Sequence, residues 1–194
     1  MAKTASTMLA LGTPAPDFAL PDVVTGGTIS LETFRGKTAL LVMFICRHCP
    51  FVIHVQDELA RVGRDYASTD LGIVAISAND ASVHTEDAPA SLREMAQNLG
   101  FTFPLCYDET QAVAKAFRAA CTPDFYLFDA ARRLVYRGQL DDARPGSDAP
   151  VTGRDLRAAI DATLAERAPD AAQRPGIGCN IKWKQGNAPE YFAT

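Results

Sequence analysis

The chain has 194 residues, of which 47% are hydrophobic, and a formal net charge of -4 at pH 7. This length and composition are enough for one domain with a sizeable core. The basic residues form no cluster, so we expect no nucleic-acid partner. The five cysteines show no regular ladder of spacings, which argues against a secreted scaffold held together by disulfides.

The first twelve residues lack an apolar run long enough for a signal peptide. No segment reaches the ~20 apolar residues that a membrane-spanning helix needs. We therefore expect a cytoplasmic protein with no membrane partner. In a reducing cytoplasm, two neighbouring cysteines cycle between thiol and disulfide rather than stay oxidised.

The chain is predicted to begin with an extended segment and a hairpin. Three prolines in residues 13–21 push the residues before them out of the helical region. A turn at Gly26-Gly27 then leads into residues 28–30, which predicts a hairpin ahead of the main sheet.

Residues 40–50 are the centre of the pattern. Leu40 to Ile45 are all apolar, which predicts a strand buried on both faces. After Pro50 the apolar residues recur at helical spacing, at Phe51, Val55, Leu59, Val62 and Tyr66. Cys46 and Cys49 therefore lie where a strand ends and a helix begins.

A second apolar strand is predicted at residues 71–77, and the order strand, helix, strand implies a parallel pair with a right-handed crossover. Two helices are predicted next, one from Pro89 to about Leu99 that ends at Gly100, and one over residues 109–119. A strand follows directly after Thr122-Pro123, with its antiparallel neighbour at residues 133–137. The last predicted helix covers residues 153–167 and is capped by Thr152.

The two cysteines at the strand-to-helix junction point to thiol chemistry. A thiol at a helix N-terminus meets unsatisfied N–H groups and the positive end of the helix dipole, and both favour thiolate. Arg47 and His48 add cationic character, so the pKa of Cys46 is predicted to fall below the ordinary value of roughly 8.5. Cys49 could close a disulfide with Cys46 or release a mixed disulfide that Cys46 has formed.

The alternative is that Cys46 and Cys49 are half of a zinc site. A structural zinc site needs four ligands, usually from a second Cys or His pair. Cys106, Cys121 and Cys179 are single, and the three histidines form no pair. The sequence therefore favours redox chemistry over zinc, and we expect no metal and no cofactor.

Three motifs carry a resemblance that covers most of the chain: Cys46-Arg-His-Cys-Pro50, Cys121-Thr-Pro-Asp124 and Gly178-Cys-Asn-Ile-Lys-Trp183. They resemble the thioredoxin superfamily, specifically its peroxiredoxin-like (AhpC/TSA-type) proteins with a Cys-x-His-Cys-Pro motif. The resemblance implies an α/β, thioredoxin-like fold with a central mixed sheet flanked by helices and an N-terminal hairpin. Residues 1–168 would form this domain, and residues 169–194 a C-terminal tail packed on it.

The resemblance also implies a function, that of a thiol-disulfide oxidoreductase acting on protein disulfides or dithiols. Cys46 would attack and Cys49 would resolve, while Arg47 and His48 would tune the reactive thiol. A cis bond before Pro123 would leave the backbone of Thr122 free to dock an extended partner by strand addition. The sequence does not predict the oligomeric state.

Two alternative functions remain open. A hydroperoxide reductase would use Cys46 against peroxides, although Met43 and Ala39 stand where peroxiredoxins have Thr or Ser and Pro. A copper-binding assembly protein would use the soft thiolates as ligands. The chain also departs from thioredoxins, with Ile45 in place of Trp and no acidic residue on the central strand, so proton transfer to Cys49 must use water or another group.

The tail contains Cys179 and Trp183, which are candidates for an accessory role. Ile177, Ile181 and Trp183 would cost solubility if they were exposed, so residues 175–184 are predicted to fold back onto the domain. Cys179 is then either a buried anchor or a further redox thiol. Among the other residues, Cys106 and Cys121 are expected to be buried thiols, and His54 and His84 surface residues.

Overall fold

The computed structural model describes residues 3–192. The strands are β1 (Lys3–Ala5), β2 (Ala19–Pro21), β3 (Thr28–Ser30), β4 (Ala39–Phe44), β5 (Leu71–Ser77), β6 (Leu105–Tyr107), β7 (Cys121–Thr122), β8 (Asp124–Phe128), β9 (Leu134–Gly138) and β10 (Ile177–Asn180). The α-helices are α1 (Pro50–Asp65), α2 (Pro89–Leu99), α3 (Ala112–Ala116) and α4 (Arg154–Leu164).

Five strands form the central sheet in the order β6-β5-β4-β8-β9. β4 pairs in parallel with β5 and antiparallel with β8, so the sheet is mixed, as predicted. Every residue of β4 is buried, because this strand has a neighbour on each side and helices cover both faces. The predicted hairpin forms between β2 and β3.

The two faces of the sheet support two separate hydrophobic clusters. Side chains alternate along β4, so that Leu41 and Met43 belong to one cluster and Val42 and Phe44 to the other. The first cluster packs against α1, α2 and α4. The second contains Phe117, just after α3, which makes an edge-to-face contact with Phe44 at a centroid distance of 5.5 Å.

A small second sheet joins the two ends of the chain, in the order β1-β10-β7. Within it β10 pairs antiparallel with both β1 and β7, and the sequence predicted neither pairing. Beyond β10, Ile181 is buried and Trp183 packs against the second hydrophobic cluster. Ile177 differs from the expectation, because 37% of its surface is exposed.

Two predicted boundaries need correction. The helix expected over residues 109–119 is only the short α3. The N-cap of α4 is Gly153, with φ +66°, rather than Thr152. The Asp141 carboxylate accepts the N–H groups of both residues at 2.7 Å and holds the turn. A side chain at position 153 would also meet Oε1 of Glu58, so glycine fits this conformation.

No helix within residues 3–192 combines the length and the apolar composition that crossing a membrane requires.

Candidate functional site

The two cysteines lie where β4 gives way to α1, as predicted. β4 ends at Phe44, and Pro50 is the first residue of the helix, so the N-cap is Cys49 rather than Cys46. Cys46 lies in the connecting loop, three residues earlier. Both residues are fully buried, with 0% exposed surface.

Thr122 contacts both thiols from the opposite side of the site. The Thr122–Pro123 peptide bond is cis, as predicted. Oγ1 of Thr122 lies 3.2 Å from Sγ of Cys46, and its carbonyl oxygen accepts a hydrogen bond from Sγ of Cys49, also at 3.2 Å. The structure therefore brings together four of the predicted site residues: Cys46, Cys49, Thr122 and Pro123.

The electrostatics of the pair differ from the prediction. The pKa of Cys49 is lowered to about 5, mainly by the hydrogen bond from Cys46 and with a further hydrogen bond from Cys179, against the effect of burial. The pKa of Cys46 is raised by the same hydrogen bond, by burial and by the nearby Asp87 charge. Cys49, at the helix N-terminus, is therefore the more acidic thiol of this hydrogen-bonded pair, whereas the sequence pattern predicted the lowered pKa at Cys46.

Asp87 is a site residue that the sequence reasoning missed. It precedes α2 and is 0% exposed. Its Oδ1 accepts the backbone N–H groups of Arg47 at 2.7 Å and of His48 at 3.4 Å. Its Oδ2 lies 2.6 Å from Nδ1 of His48 and accepts a hydrogen bond from Asn79 at 2.8 Å. The carboxylate thus fixes the loop between the two cysteines.

Asn79 extends this network to the C-terminal segment. Its side-chain nitrogen donates to Asp87, while its Oδ1 accepts the backbone N–H of Lys182 at 2.8 Å. A signal for both residues was present in the sequence. Because β4 and β5 are parallel, the loops that follow them leave the same edge of the sheet, so the polar stretch after β5 had to approach Cys46.

The two predicted tuning residues have different surroundings. The guanidinium of Arg47 pairs with Glu94 at 2.7 Å and donates to the carbonyl of Ser91 at 2.8 Å, so its charge is directed at α2. The ring of His48 stacks on His84 at a centroid distance of 5.0 Å. His84, expected to be a surface residue, is thus half-buried beside the site.

One group of side chains has donor atoms spaced for a metal ion. Sγ of Cys46, a ring nitrogen of His48 and a carboxylate oxygen of Asp87 all lie within 4.8 Å of one another. However, both oxygens of Asp87 already accept hydrogen bonds from N–H groups. A cation would have to displace these donors, so the arrangement fits an anchoring carboxylate better than a metal ligand.

The C-terminal strand occupies the edge that was expected to receive a partner. β10 pairs antiparallel with β7, and Cys179 lies opposite Thr122. The backbone edge beside Thr122 is therefore not free, contrary to the expectation. Cys179 joins the site, whereas Trp183 packs its ring edge-to-face with Tyr191 and Phe192 at the end of the tail.

This sheet, with paired thiols at the start of α1 opposite a cis proline, defines a thioredoxin-like fold. A thioredoxin-family thiol:disulfide interchange protein from Chlorobium tepidum TLS shares the fold at 20% identity, with a TM-score of 0.62 over 80% of this chain and 98% of that one. The family is more specific: the model of the AhpC/TSA family matches residues 11–137. The chain belongs to the AhpC/TSA family.

Two solved structures are similar over nearly the whole chain. An uncharacterized conserved protein from Geobacillus kaustophilus is 51% identical, with a TM-score of 0.94 over 97% of this chain and 99% of that one. A hypothetical protein from Sinorhizobium meliloti 1021 is 49% identical, with a TM-score of 0.93 over 94% and 100%.

A curated relative carries a functional name. The thiol-disulfide oxidoreductase ResA of Geobacillus kaustophilus (strain HTA426) is 27% identical over 128 residues, which cover 65% of this chain and 67% of ResA.

Proposed function

We propose that this protein is a thiol-disulfide oxidoreductase that exchanges disulfides with protein partners through Cys46 and Cys49. The observation that carries the proposal is the geometry of the two thiols at the start of α1. Sγ of Cys46 lies 3.2 Å from Oγ1 of Thr122, Sγ of Cys49 lies 3.2 Å from the carbonyl oxygen of the same residue, and a hydrogen bond from Cys46 lowers the pKa of Cys49. A thiolate beside a protonated second thiol is the arrangement that disulfide exchange needs. The 27% identity with ResA supports the same class of reaction.

The exchange begins with ionisation of Cys49, the more acidic thiol of the pair. Its sulfur then attacks one sulfur of a partner disulfide, and the other partner sulfur leaves as a thiolate. Cys46 then loses its proton and attacks Cys49, forming the Cys46–Cys49 disulfide and releasing the partner as a dithiol. Two electrons pass from this protein to the partner, and the reverse sequence oxidises a dithiol.

The remaining residues position the two sulfur atoms. The hydroxyl of Thr122 contacts Cys46, and its carbonyl contacts Cys49. Asp87 fixes the loop through the backbone N–H groups of Arg47 and His48. Because both cysteines are fully buried, exchange with a protein requires this loop or β10 to shift.

We also propose a reducing, cytoplasmic setting.

The test is equilibration in glutathione buffers of rising oxidised fraction, followed by mapping of the disulfides. We expect a Cys46–Cys49 disulfide in the native chain and its loss in Cys46→Ser and Cys49→Ser. Cys106→Ser is the matched control, because Cys106 is also buried but lies in the second hydrophobic cluster. A native chain that formed no Cys46–Cys49 disulfide at any ratio would contradict the proposal.

Activity is measured with a disulfide-bonded model protein as the substrate and an excess of dithiol reductant. The native chain and Cys106→Ser should accelerate reduction of the substrate, and Cys49→Ser should not. Equal rates with Cys49→Ser and the native chain would mean that the pair does not act as a dithiol.

A further inference from the structure

Three thiols surround a single residue, Thr122. Sγ of Cys46 lies on its hydroxyl and Sγ of Cys49 on its carbonyl oxygen, each at 3.2 Å. Cys179 lies directly opposite it in the antiparallel pair of β7 and β10. The third thiol therefore comes from a different part of the chain, 130 residues after Cys49 in the sequence. It nevertheless belongs to the same cluster.

The backbone of β10 approaches Thr122 unusually closely. A Cβ atom at Gly178 would lie 2.0 Å from the carbonyl oxygen of Thr122 and 3.1 Å from the nitrogen of Pro123. Such distances exclude any side chain unless the strand moves away. Glycine at this position therefore lets the next residue, Cys179, reach the dithiol.

Cys179 is in contact with Cys49 and is shielded from solvent. Only 2% of its surface is exposed, and it belongs to the same hydrophobic cluster as Cys46 and Cys49. Its thiol is hydrogen-bonded to Cys49. Burial, followed by the hydrogen bond to Cys49 and the charge of that residue, raises the pKa of Cys179 to about 12, so Cys179 is the weaker acid of the two and donates this hydrogen bond.

The two other cysteines have different surroundings. Cys106 lies in β6 on the opposite side of the central sheet, in the second hydrophobic cluster. Sγ of Cys121 contacts the carbonyl oxygen of Pro123 at 3.7 Å. The described hydrogen bonds of neither residue reach Cys46 or Cys49, so the contact of Cys179 with Cys49 is more than the packing of a small apolar side chain.

We propose that Cys179 is a third redox thiol, which exchanges with the Cys46–Cys49 disulfide to form a Cys49–Cys179 disulfide. In this step the sulfur of Cys179 attacks Sγ of Cys49, and the Cys46–Cys49 bond breaks. The proton lost by Cys179 passes to the departing sulfur of Cys46. The protein keeps the same number of electrons, so the step needs no further oxidant.

The inference deepens the proposed function, because the disulfide that Cys179 attacks is the one formed by the proposed dithiol. It gives Cys49 two alternative partners, Cys46 on its loop and Cys179 on β10. A disulfide to Cys179 would bind β10 covalently to the start of α1 and release Cys46 as a free thiol. The attachment of the C-terminal strand β10 to α1 would then depend on the redox state of the site.

The test uses three variants in the full chain: Cys46→Ser, the double variant Cys46→Ser/Cys179→Ser, and the matched control Cys46→Ser/Cys106→Ser. Each is equilibrated in glutathione buffers of rising oxidised fraction, and its disulfides are mapped after acid quenching. We expect a Cys49–Cys179 disulfide in Cys46→Ser and in the control. In the double variant lacking Cys179, we expect a stable glutathione adduct at Cys49 instead.

Two results would overturn the inference. One is the absence of a Cys49–Cys179 disulfide from Cys46→Ser at every glutathione ratio, whether or not Cys49 holds glutathione. The other is an equal yield of glutathione adduct with and without Cys179. Cys179→Ser alone tests the proposed function separately, since it should still form the Cys46–Cys49 disulfide, and its failure to do so would count against the dithiol rather than against Cys179.

A second change leaves Cys46, Cys49 and Cys179 in place. Gly178→Ala puts a methyl group against the carbonyl oxygen of Thr122, which should push β10 outwards. In the Cys46→Ser background, we expect this change to lower the yield of the Cys49–Cys179 disulfide, relative to the yield of the glutathione adduct, on the order of tenfold. Gly27→Ala, in the hairpin between β2 and β3, is the control, because its backbone is outside the left-handed region and a Cβ atom there would meet only Oγ1 of Thr25 at 3.4 Å. An unchanged disulfide ratio in Gly178→Ala would contradict the role assigned to β10.

Discussion

Nδ1 of His48 lies 2.6 Å from Oδ2 of Asp87, a carboxylate with no exposed surface. The same side chain accepts the backbone N–H of Arg47 and the amide of Asn79. Hydrogen bonds from this many donors fix the position of a buried carboxylate, and they also fix the positions of the donor groups. Asp87 therefore determines the orientation of the His48 ring and places a negative charge beside Cys46.

Asp87→Asn should lower the pKa of Cys46 while destabilising the fold. The pKa falls because the Asp87 charge contributes to raising it. Stability falls because the new amide would place a donor against either the backbone N–H of Arg47 or the side-chain N–H of Asn79, and an unsatisfied buried donor costs about 1–3 kcal/mol. Thiolate absorbance as a function of pH measures the first effect, and urea unfolding the second.

Glu94→Gln is the matched control for Asp87→Asn. Glu94 carries the same charge and also binds Arg47, but through the guanidinium at the surface. Surface ion pairs of this kind contribute about 0–1 kcal/mol, so both the thiol titration and the unfolding curve should be close to those of the native chain. If both variants behaved alike, Asp87 would have no specific effect on the thiols.

The titration of the dithiol should begin at Cys49. The native reduced chain should lose its first thiol proton with a pKa of about 5, and Cys49→Ser should abolish this transition. In Cys46→Ala the transition should move to a higher pH, because alanine cannot donate the hydrogen bond that is the main cause of the lowering. A low transition that survived in Cys49→Ser would place the thiolate on Cys46, in the order that the resemblance to thioredoxins implies.

The same shift links the stability of the reduced protein to pH. The pKa of Cys49 in the folded state is below its ordinary value of 9.0, so ionisation of this thiol favours the folded state. That contribution is present at high pH and is lost as the pH falls through about 5. Cys49→Ser should remove this dependence, and urea unfolding of the reduced proteins at several pH values measures the difference.

The hydroxyl of Thr122 should stabilise charge on Cys46 in the second half of the reaction. It lies 3.2 Å from Sγ and lowers the pKa of that thiol against the other effects. Thr122→Val, which keeps the shape, should raise the pKa of Cys46 further and slow the release of mixed disulfides. Thr122→Ser keeps the hydroxyl and should resemble the native chain. Equal release rates for the two variants would exclude a role for the hydroxyl.

Another buried carboxylate, Asp124, should make stability depend on pH in the neutral range. Burial raises its pKa from 3.8 to about 7, and its Oδ2 accepts a hydrogen bond from Tyr126 at 2.9 Å. A raised pKa in an acid favours the folded state at low pH, and this contribution is lost as the pH rises through about 7.

Asp124→Asn mimics the protonated form and should remove this dependence. The shift corresponds to at most about 4 kcal/mol between about pH 4 and about pH 8. We expect the native chain to lose stability relative to the variant across this range, as measured by urea unfolding. A constant difference between the two proteins at all pH values would mean that Asp124 titrates at the same pH in the folded and unfolded states.

The local pattern of the sequence was enough to predict the main elements of the fold. The unbroken apolar run before Cys46 and the helical spacing after Pro50 correspond to β4 and α1. The start of α2 at Pro89 and its end before Gly100 were also correct, because proline and glycine act on their own backbone. Thr122-Pro123 was placed opposite the cysteines by resemblance, and its cis bond was predicted correctly.

The chemistry of the site depends on contacts that no local pattern encodes. Asp87 contacts the loop that follows Cys46 although it lies 40 residues after Arg47 in the sequence. The pairing of β10 with β7 and the direction of the Arg47 guanidinium have the same origin. The sequence by itself determined where two thiols meet a helix N-terminus, since strand and helix periods are local. Only the tertiary structure decided that Cys49 is the more acidic thiol and that Cys179 lies beside it, because burial and hydrogen bonds between distant segments set the pKa values.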